Sequence, residues 1–251
     1  MTRIICLGSS DAFNSGGRAN SCFWVDDAHG AFTIDFGPTA LLAMARESLD
    51  PATLDSVFVT HMHGDHIGGL PQLICALQYR GGRRKPLTIW GPPGLESRLA
   101  GLIANAYPSL AHKGLDFPLT VRRWKVPGTV EADAREVTAI RARHDRYAIA
   151  CSLRVRTGGH TLVFSGDTGW QPSLAELAAG ADLFVCECSD VEAGFWAHVS
   201  LEEVAEHRAA IGARRVWLTH FGVESRAAAT ARAHELDVIV ADDGLVLTLD
   251  S

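Results

Sequence analysis

At 251 residues and 47% hydrophobic, the chain can bury a sizeable core as one large domain or two small ones, and a single α/β domain over 1–251 is the expectation. A formal charge of −6 excludes global attraction to nucleic acid, so a polyanionic substrate needs a local basic patch; Arg80-Gly-Gly-Arg83-Arg84-Lys85 is either that patch or a solvated loop. The start lacks the apolar stretch of a signal peptide and no membrane-length run follows, which predicts a soluble, cytoplasmic protein with no membrane partner.

From Met1 the chain enters a short apolar strand and a glycine-containing loop, then strands at Cys22–Val25 and Ala31–Phe36, before any helix. Thr39–Leu49 carries apolar residues at helical spacing, Val57–Thr60 is a buried strand, and Leu70–Tyr79 is helical. Leu87–Trp90, the Gly91-Pro-Pro-Gly94 turn and a helix over Leu95–Tyr107 continue the alternation, followed by strands at Leu119–Trp124 and Glu136–Arg143. A second half repeats the order. Ala150–Arg156 and Thr161–Ser165 are strands joined by a hairpin-like turn, Ser173–Ala179 is a helix, and Leu183–Cys188 is a strand. Ser200–Ile211 is a helix with Ser200 as N-cap and Glu203 as its capping-box partner. Strands at Val216–Thr219, Val238–Ala241 and Leu245–Leu249 end the chain. Strands followed by βα units, twice, would give an αββα sandwich if the helices lie outside two sheets, an order of layers that the pattern alone does not fix.

One segment stands apart chemically. His61-Met62-His63-Gly64-Asp65-His66 packs four candidate metal ligands into one turn of chain at the exit of an apolar strand, and neither loops nor helix caps favour histidine. If strand geometry persists, His61 and His63 point the same way while Asp65 and His66 sit on the following turn, so the run can serve two ions. His144, Asp167 and His220 each follow an apolar strand, the position at which α/β folds build sites. Mixed imidazole and carboxylate donors suit Zn²⁺ or another first-row divalent ion, whereas Ca²⁺ and Mg²⁺ want mainly oxygen. His29, His112, His160, His207 and His234 fall in turns or on polar helix faces and are assigned to the surface.

The six cysteines lie mostly within apolar segments and lack the spacing of a disulfide framework or zinc ribbon, so they read as buried hydrophobes. In Cys186-Glu187-Cys188, strand alternation turns both thiols to one side and Glu187 to the other.

Taken together, His61-x-His63-x-Asp65-His66, His144, Ser165-Gly-Asp167-Thr and Thr219-His220-Phe resemble the metallo-β-lactamase-fold hydrolase superfamily over nearly the whole chain. Leu7-Gly-Ser-Ser-Asp11-Ala-Phe, Asn20-Ser-Cys22 and Ile34-Asp35-Phe-Gly37 resemble its ribonuclease Z and phosphodiesterase branch. The resemblance implies a four-layer αββα sandwich with a dinuclear site at the sheet edges. His61, His63 and His144 would hold one divalent ion, Asp65, His66 and His220 the other, and Asp167 would bridge them. Zinc is the first choice, with Mn²⁺ or Fe as alternatives. In the β-lactamase branch the position of Asp167 is commonly Cys, so the carboxylate favours a phosphodiesterase-like centre.

Leu183-Phe-Val-Cys-Glu187-Cys-Ser189 resembles the stretch that contributes a glutamate in ribonuclease Z, and His198-Val-Ser200 resembles its later histidine motif. By that likeness Glu187 orients His198, His198 assists the leaving oxygen, and Asp65 orients a metal-bridging hydroxide that acts as nucleophile. Ribonuclease Z typically carries a long basic arm for tRNA after the His144-type ligand, and this sequence runs from His144 to Thr157-Gly-Gly-His160 without one. The expected function is therefore phosphodiesterase action on a small phosphodiester or ester, with nucleic acid not favoured as partner. The alternatives are tRNA 3′-processing, carbon-ester or amide hydrolysis as in lactonases and β-lactamases, and a non-enzymatic metal-binding module. Dimers are common in the similar families, which makes a homodimer one option, but the sequence does not identify the oligomeric state.

Overall fold

A computed structural model describes residues 1–80 and 82–250. Strands β1 (Thr2–Gly8), β2 (Cys22–Asp27) and β3 (Gly30–Ile34) form an antiparallel meander. The chain then passes through α1 (Ala40–Arg46) to β4 (Leu54–Phe58), through α2 (Gly64–Ile67) and α3 (Leu70–Tyr79) to β5 (Leu87–Gly91), and through α4 (Leu95–Ala106) and α5 (Pro108–Lys113) to β6 (Leu119–Arg123). Neighbours from β3 to β6 are parallel, as βα crossovers require.

The second sheet repeats this plan. β7 (Gly128–Ala132), β8 (Arg135–Arg141), β9 (Cys151–Thr157) and β10 (His160–Phe164) are antiparallel. Then α6 (Pro172–Ala178), α7 (Leu201–His207) and α8 (Val223–Arg232) lead to parallel β11 (Leu183–Glu187), β12 (Val216–Thr219) and β13 (Ile239–Val240). Finally β14 (Val246–Leu249) crosses back to pair with β1, so the sheets run β14-β1-β2-β3-β4-β5-β6 and β13-β12-β11-β10-β9-β8-β7. The turn joining β9 to β10 is Gly158-Gly159, both at positive φ (56° and 83°), the backbone a two-residue hairpin demands.

Strand periodicity sorts the side chains into layers. On β1, Ile4 and Cys6 enter the layer between the sheets with Phe23, Phe58, Phe164 and Trp217, while Ile5 and Leu7 face the helices with Leu73 and Leu99. A third cluster, including Leu174, Phe184 and Val204, joins α6 and α7 to the outer face of the second sheet. This is the expected αββα order. Cys186 and Cys188 lie in that third cluster, with Glu187 turned away from them as alternation requires. All six cysteines are unpaired; burial pushes Cys151 up to about 12, and raises Cys6, Cys22, Cys186 and Cys188 as well. No helix among the described residues is long and apolar enough to cross a membrane.

Several sequence expectations need correction. The basic run is not a free patch: Gly81 lies outside the described residues, and Arg83 is buried, donating to the carbonyls of Ala52, Leu54, Lys85 and Pro86. Lys85 faces Asp55 at 2.5 Å, tying the run to β4 with Arg83, and Arg84 faces Asp116, before β6, at 3.6 Å on the surface. Four elements escape the sequence pattern: the single-turn α2, β7, α5 and α8. The buried face of α8 is Ser225 and Ala229, too small to register as an apolar stripe. Of the histidines assigned to the surface, His160 and His207 are half-buried, and His207 stacks on Trp170 with centroids 4.5 Å apart.

Candidate metal centre

Apart from His198, on the loop before α7, every candidate residue ends or follows a strand on the same edge of the sandwich. Asp35 follows β3, the His61–His66 run follows β4, His144 follows β8, Asp167 follows β10, Glu187 ends β11 and His220 follows β12. The convergence is a property of the topology, since parallel strands place their carboxyl ends together. β4 stops at Phe58, so His61 and His63 stand on extended loop rather than strand, and Asp65 and His66 occupy the single turn of α2. His220 and Asp35 both adopt left-handed backbone (φ 60° and 57°), a conformation most side chains resist and here fixed by the contacts described below.

The side chains gather into two groups. Ligand atoms of His61, His63 and His144 lie within 4.8 Å of one another, as do those of Asp65, His66, Asp167 and His220. Asp167 stands between them. Its Oδ2 is 3.7 Å from Nε2 of both His61 and His144 and 3.3 Å from Nε2 of His220, while its Oδ1 is 3.2 Å from Nε2 of His66. Asp65 Oδ2 is 3.3 Å from Nε2 of both His66 and His220.

The surrounding hydrogen bonds assign the ring protons. Thr60 donates its N–H and its hydroxyl to Asp35, both at 2.8 Å, so the oxygen of that hydroxyl is left to accept from His61 Nδ1 at 3.1 Å. His66 Nδ1 donates to Asp35 at 2.7 Å and His144 Nδ1 to the carbonyl of Ala197 at 3.0 Å. Ser189 gives its hydroxyl proton to Glu187 (2.7 Å) and accepts from His220 Nδ1 (2.9 Å). Four imidazoles thus carry the proton on Nδ1 and turn an Nε2 lone pair inward. His63 is reversed, with Nδ1 facing His144 at 2.9 Å and Nε2 facing Asp145 at 3.4 Å.

Whether the residues suit a metal can be judged from what they lack. Nε2 of His61 and of His66 are buried with no hydrogen-bond partner, an arrangement that costs free energy unless an electrophile occupies the space they face. Burial pushes the Asp167 carboxyl up, but His220, His66 and His61 outweigh it and hold it well below the ordinary range; Asp65 is also lowered, by His220 and His66 against its burial. Burial lowers His61 and His144, whereas Asp167 overcomes burial at His66 and His220 and raises both. Two ionised carboxylates and inward-facing Nε2 atoms, those of His66 and His220 drawn toward positive charge by Asp167, form a nitrogen and oxygen donor set for first-row divalent ions, each imidazole oriented by a partner behind it.

Beside these groups sits the Glu187–His198 pair. His198 Nδ1 meets both Glu187 oxygens, at 3.0 and 2.9 Å, and one His198 nitrogen lies within 4.8 Å of ligand atoms on His144 and Asp167. Glu187 is 1% exposed and is fixed by the Thr168 N–H at 2.5 Å and the Ser189 hydroxyl, so it cannot swing away. Burial opposes a charge on His198, but Glu187 overrides it and raises the imidazole to about 9.

All nine sequence candidates therefore meet at one edge. The sequence assigned no orienting role to Thr60, Asp145 or Ser189, although Ser189 ends the quoted Leu183–Ser189 stretch. Asp35 stands in a quoted motif, Ile34-Asp35-Phe-Gly37, but only the fold reveals that it supports His66 and Thr60.

Comparison with known proteins gives a match to the family model described as "Beta-lactamase superfamily domain" over residues 32–221. A ribonuclease Z from Methanothermobacter thermautotrophicus is 28% identical over 272 aligned positions, covering 88% of this chain and 86% of that protein. Among solved structures, the metallo-β-lactamase fold protein YhfI from Bacillus subtilis superposes with a TM-score of 0.80 at 21% identity, covering 99% of this chain and 100% of that one. The short form of human tRNase Z gives a TM-score of 0.80 at 22% identity, with the same coverage.

Proposed function

The chain belongs to the β-lactamase superfamily, and from that premise we propose that it is a metal-dependent phosphodiesterase, similar to ribonuclease Z but acting on a small phosphodiester. The observation that carries this reading is the Glu187–His198 pair, held against the ligand groups by Ser189, whose hydroxyl serves Glu187 and His220 at once. Hydrolysis of a carbon ester has less need of a fixed acid at that place, because hydroxide addition to the carbonyl carbon is commonly the slow step and the leaving oxygen departs later, from the tetrahedral intermediate.

His61, His63 and His144 would hold one ion and Asp65, His66 and His220 the other, with Asp167 shared. When bound, two divalent ions, zinc foremost, supply Lewis-acid polarisation of the phosphoryl group and acidify water toward neutrality. Asp65 accepts a hydrogen bond from the attacking water and aims it at phosphorus. Glu187 holds Nδ1–H of His198, so the opposite ring nitrogen is the one that faces substrate and donates a proton to the departing alkoxide. The short link of residues 145–150 between His144 and β9 carries no basic arm, which favours a small diester over a tRNA precursor. A cytoplasmic setting belongs to the same reading and is supported by six free thiols.

Acid assistance has a kinetic signature. His198→Ala should slow metal-loaded turnover of an alkyl-leaving-group diester by about 10²–10⁴-fold, and slow a p-nitrophenyl diester far less, because p-nitrophenolate leaves without a proton. Equal losses on both diesters would remove His198 from the role of acid.

A further inference from the structure

A cavity of about 680 Å³ lies between α4 and the 145–150 loop, and it is not used by the chemistry above. Arg98 reaches it from α4, Arg141 from the end of β8 and Arg146 from the loop, and no carboxylate lines it. None of the three forms an ion pair among the described residues, although Arg3, Arg135 and Arg226 elsewhere all find aspartates. In a chain of net charge −6, three unopposed guanidinium groups from three separate elements are a local reversal of sign.

The cavity also adjoins the ligand groups. Met62, on its wall, stands between His61 and His63 in the chain. Arg146 follows Asp145, whose carboxylate is 3.4 Å from His63, and its guanidinium lies over the Trp196 ring at 4.7 Å, on the loop that carries His198. Stacking fixes the direction of that long side chain and leaves its N–H fork free.

We propose that this cavity binds a second phosphoryl group of the same substrate molecule, a reading that rests on the phosphodiesterase assignment. A single carboxylate is satisfied by one arginine fork, whereas a tetrahedral phosphoryl group offers oxygens in several directions and suits forks arriving from three sides. Its volume admits a sugar-sized unit together with the anion. Binding energy gained there would position the scissile diester at the ligand groups. The second group is either a terminal monoester or the next internucleotide linkage, and the two are separable by experiment.

Three chromogenic substrates suffice: p-nitrophenyl thymidine 5′-phosphate, the same compound with a 3′-phosphate, and the same compound extended 3′ by one nucleotide. With the metal-loaded protein, the 3′-phosphate, the 3′ extension or both should lower KM by about tenfold or more, and the gain should shrink to within about twofold in the Arg98→Ala/Arg146→Ala variant. A gain confined to one compound identifies the source. Calorimetric titration with thymidine 3′,5′-bisphosphate and thymidine 5′-monophosphate gives a second readout, with the bisphosphate preferred by the wild type and the preference lost in the variant. Equal KM values and equal binding in the wild type would overturn the cavity's role, as would a preference that survives in the variant. No turnover of any diester, with the bisphosphate preference intact, would instead remove the phosphodiesterase reading and leave the anion site standing.

Discussion

At the level of single residues, the support behind the candidate ligands governs their use as much as the ligands themselves. Asp35 orders His66 and Thr60, and through Thr60 it orders His61. Asp35→Asn keeps the shape but removes an acceptor, so metal affinity should fall by about 10–100-fold, measured by competition with a chromogenic chelator; unchanged affinity would show that the His66 ring needs no such anchor. The ligands were legible because histidine is rare in loops and occurs here at high density. Asp35 and Ser189 were not, since an aspartate after a strand and a serine in a loop have many ordinary reasons to exist. The thiols make a separate case. At pH 8 a thiol with its pKa at about 12 is ionised on the order of one part in ten thousand, and the fraction rises only as pH climbs toward 12. Cys75 is half-buried while the other five are buried, so iodoacetamide at pH 8 should label one cysteine in the native protein, counted by intact mass. Rapid labelling of several would contradict the packing of the strands that hold them.

Among the elements, most strands and helices were readable from periodicity, and the failures share a cause. Helix α8 buries Ser225 and Ala229, and edge strand β7 alternates half-buried with exposed positions, so neither carries the large apolar residues on which pattern reading depends. The α7 cap, by contrast, was visible in four residues. Ser200 accepts from the Glu203 N–H at 3.2 Å and Glu203 returns to the Ser200 N–H at 2.9 Å. Ser200→Ala should cost about 1 kcal/mol in denaturant unfolding. His198 lies two residues upstream, and the Ser189 N–H bonds to the Val199 carbonyl at 3.1 Å, so loosening this cap should also reduce turnover. A variant that loses stability but keeps full turnover would show that the His198 segment is held independently of the helix.

For the whole molecule, the site exists because two sheets of the same plan bring their strand ends to one edge, and the layer between them sets the spacing of the two ligand groups. Phe58, fully buried between Phe32 and Trp124 with ring centroids at 4.8 and 5.4 Å, ends the strand that leads to His61. Phe58→Ala should destabilise by about 3–5 kcal/mol and loosen metal binding with it. The two halves were legible in the repeated strand and βα pattern, but the order of the layers came from the family resemblance, and the meeting of Asp167 with both groups was legible in neither, because residues far apart in sequence meet only through sheet pairing. The central claim is that this edge hydrolyses a phosphodiester. It is tested most directly by kcat/KM of the metal-loaded protein on a chromogenic phosphodiester, a lactone and a β-lactam, each repeated with Asp167→Ala. The account predicts turnover of the phosphodiester, lost in the variant, and little on the other two; activity confined to the lactone and β-lactam would contradict it.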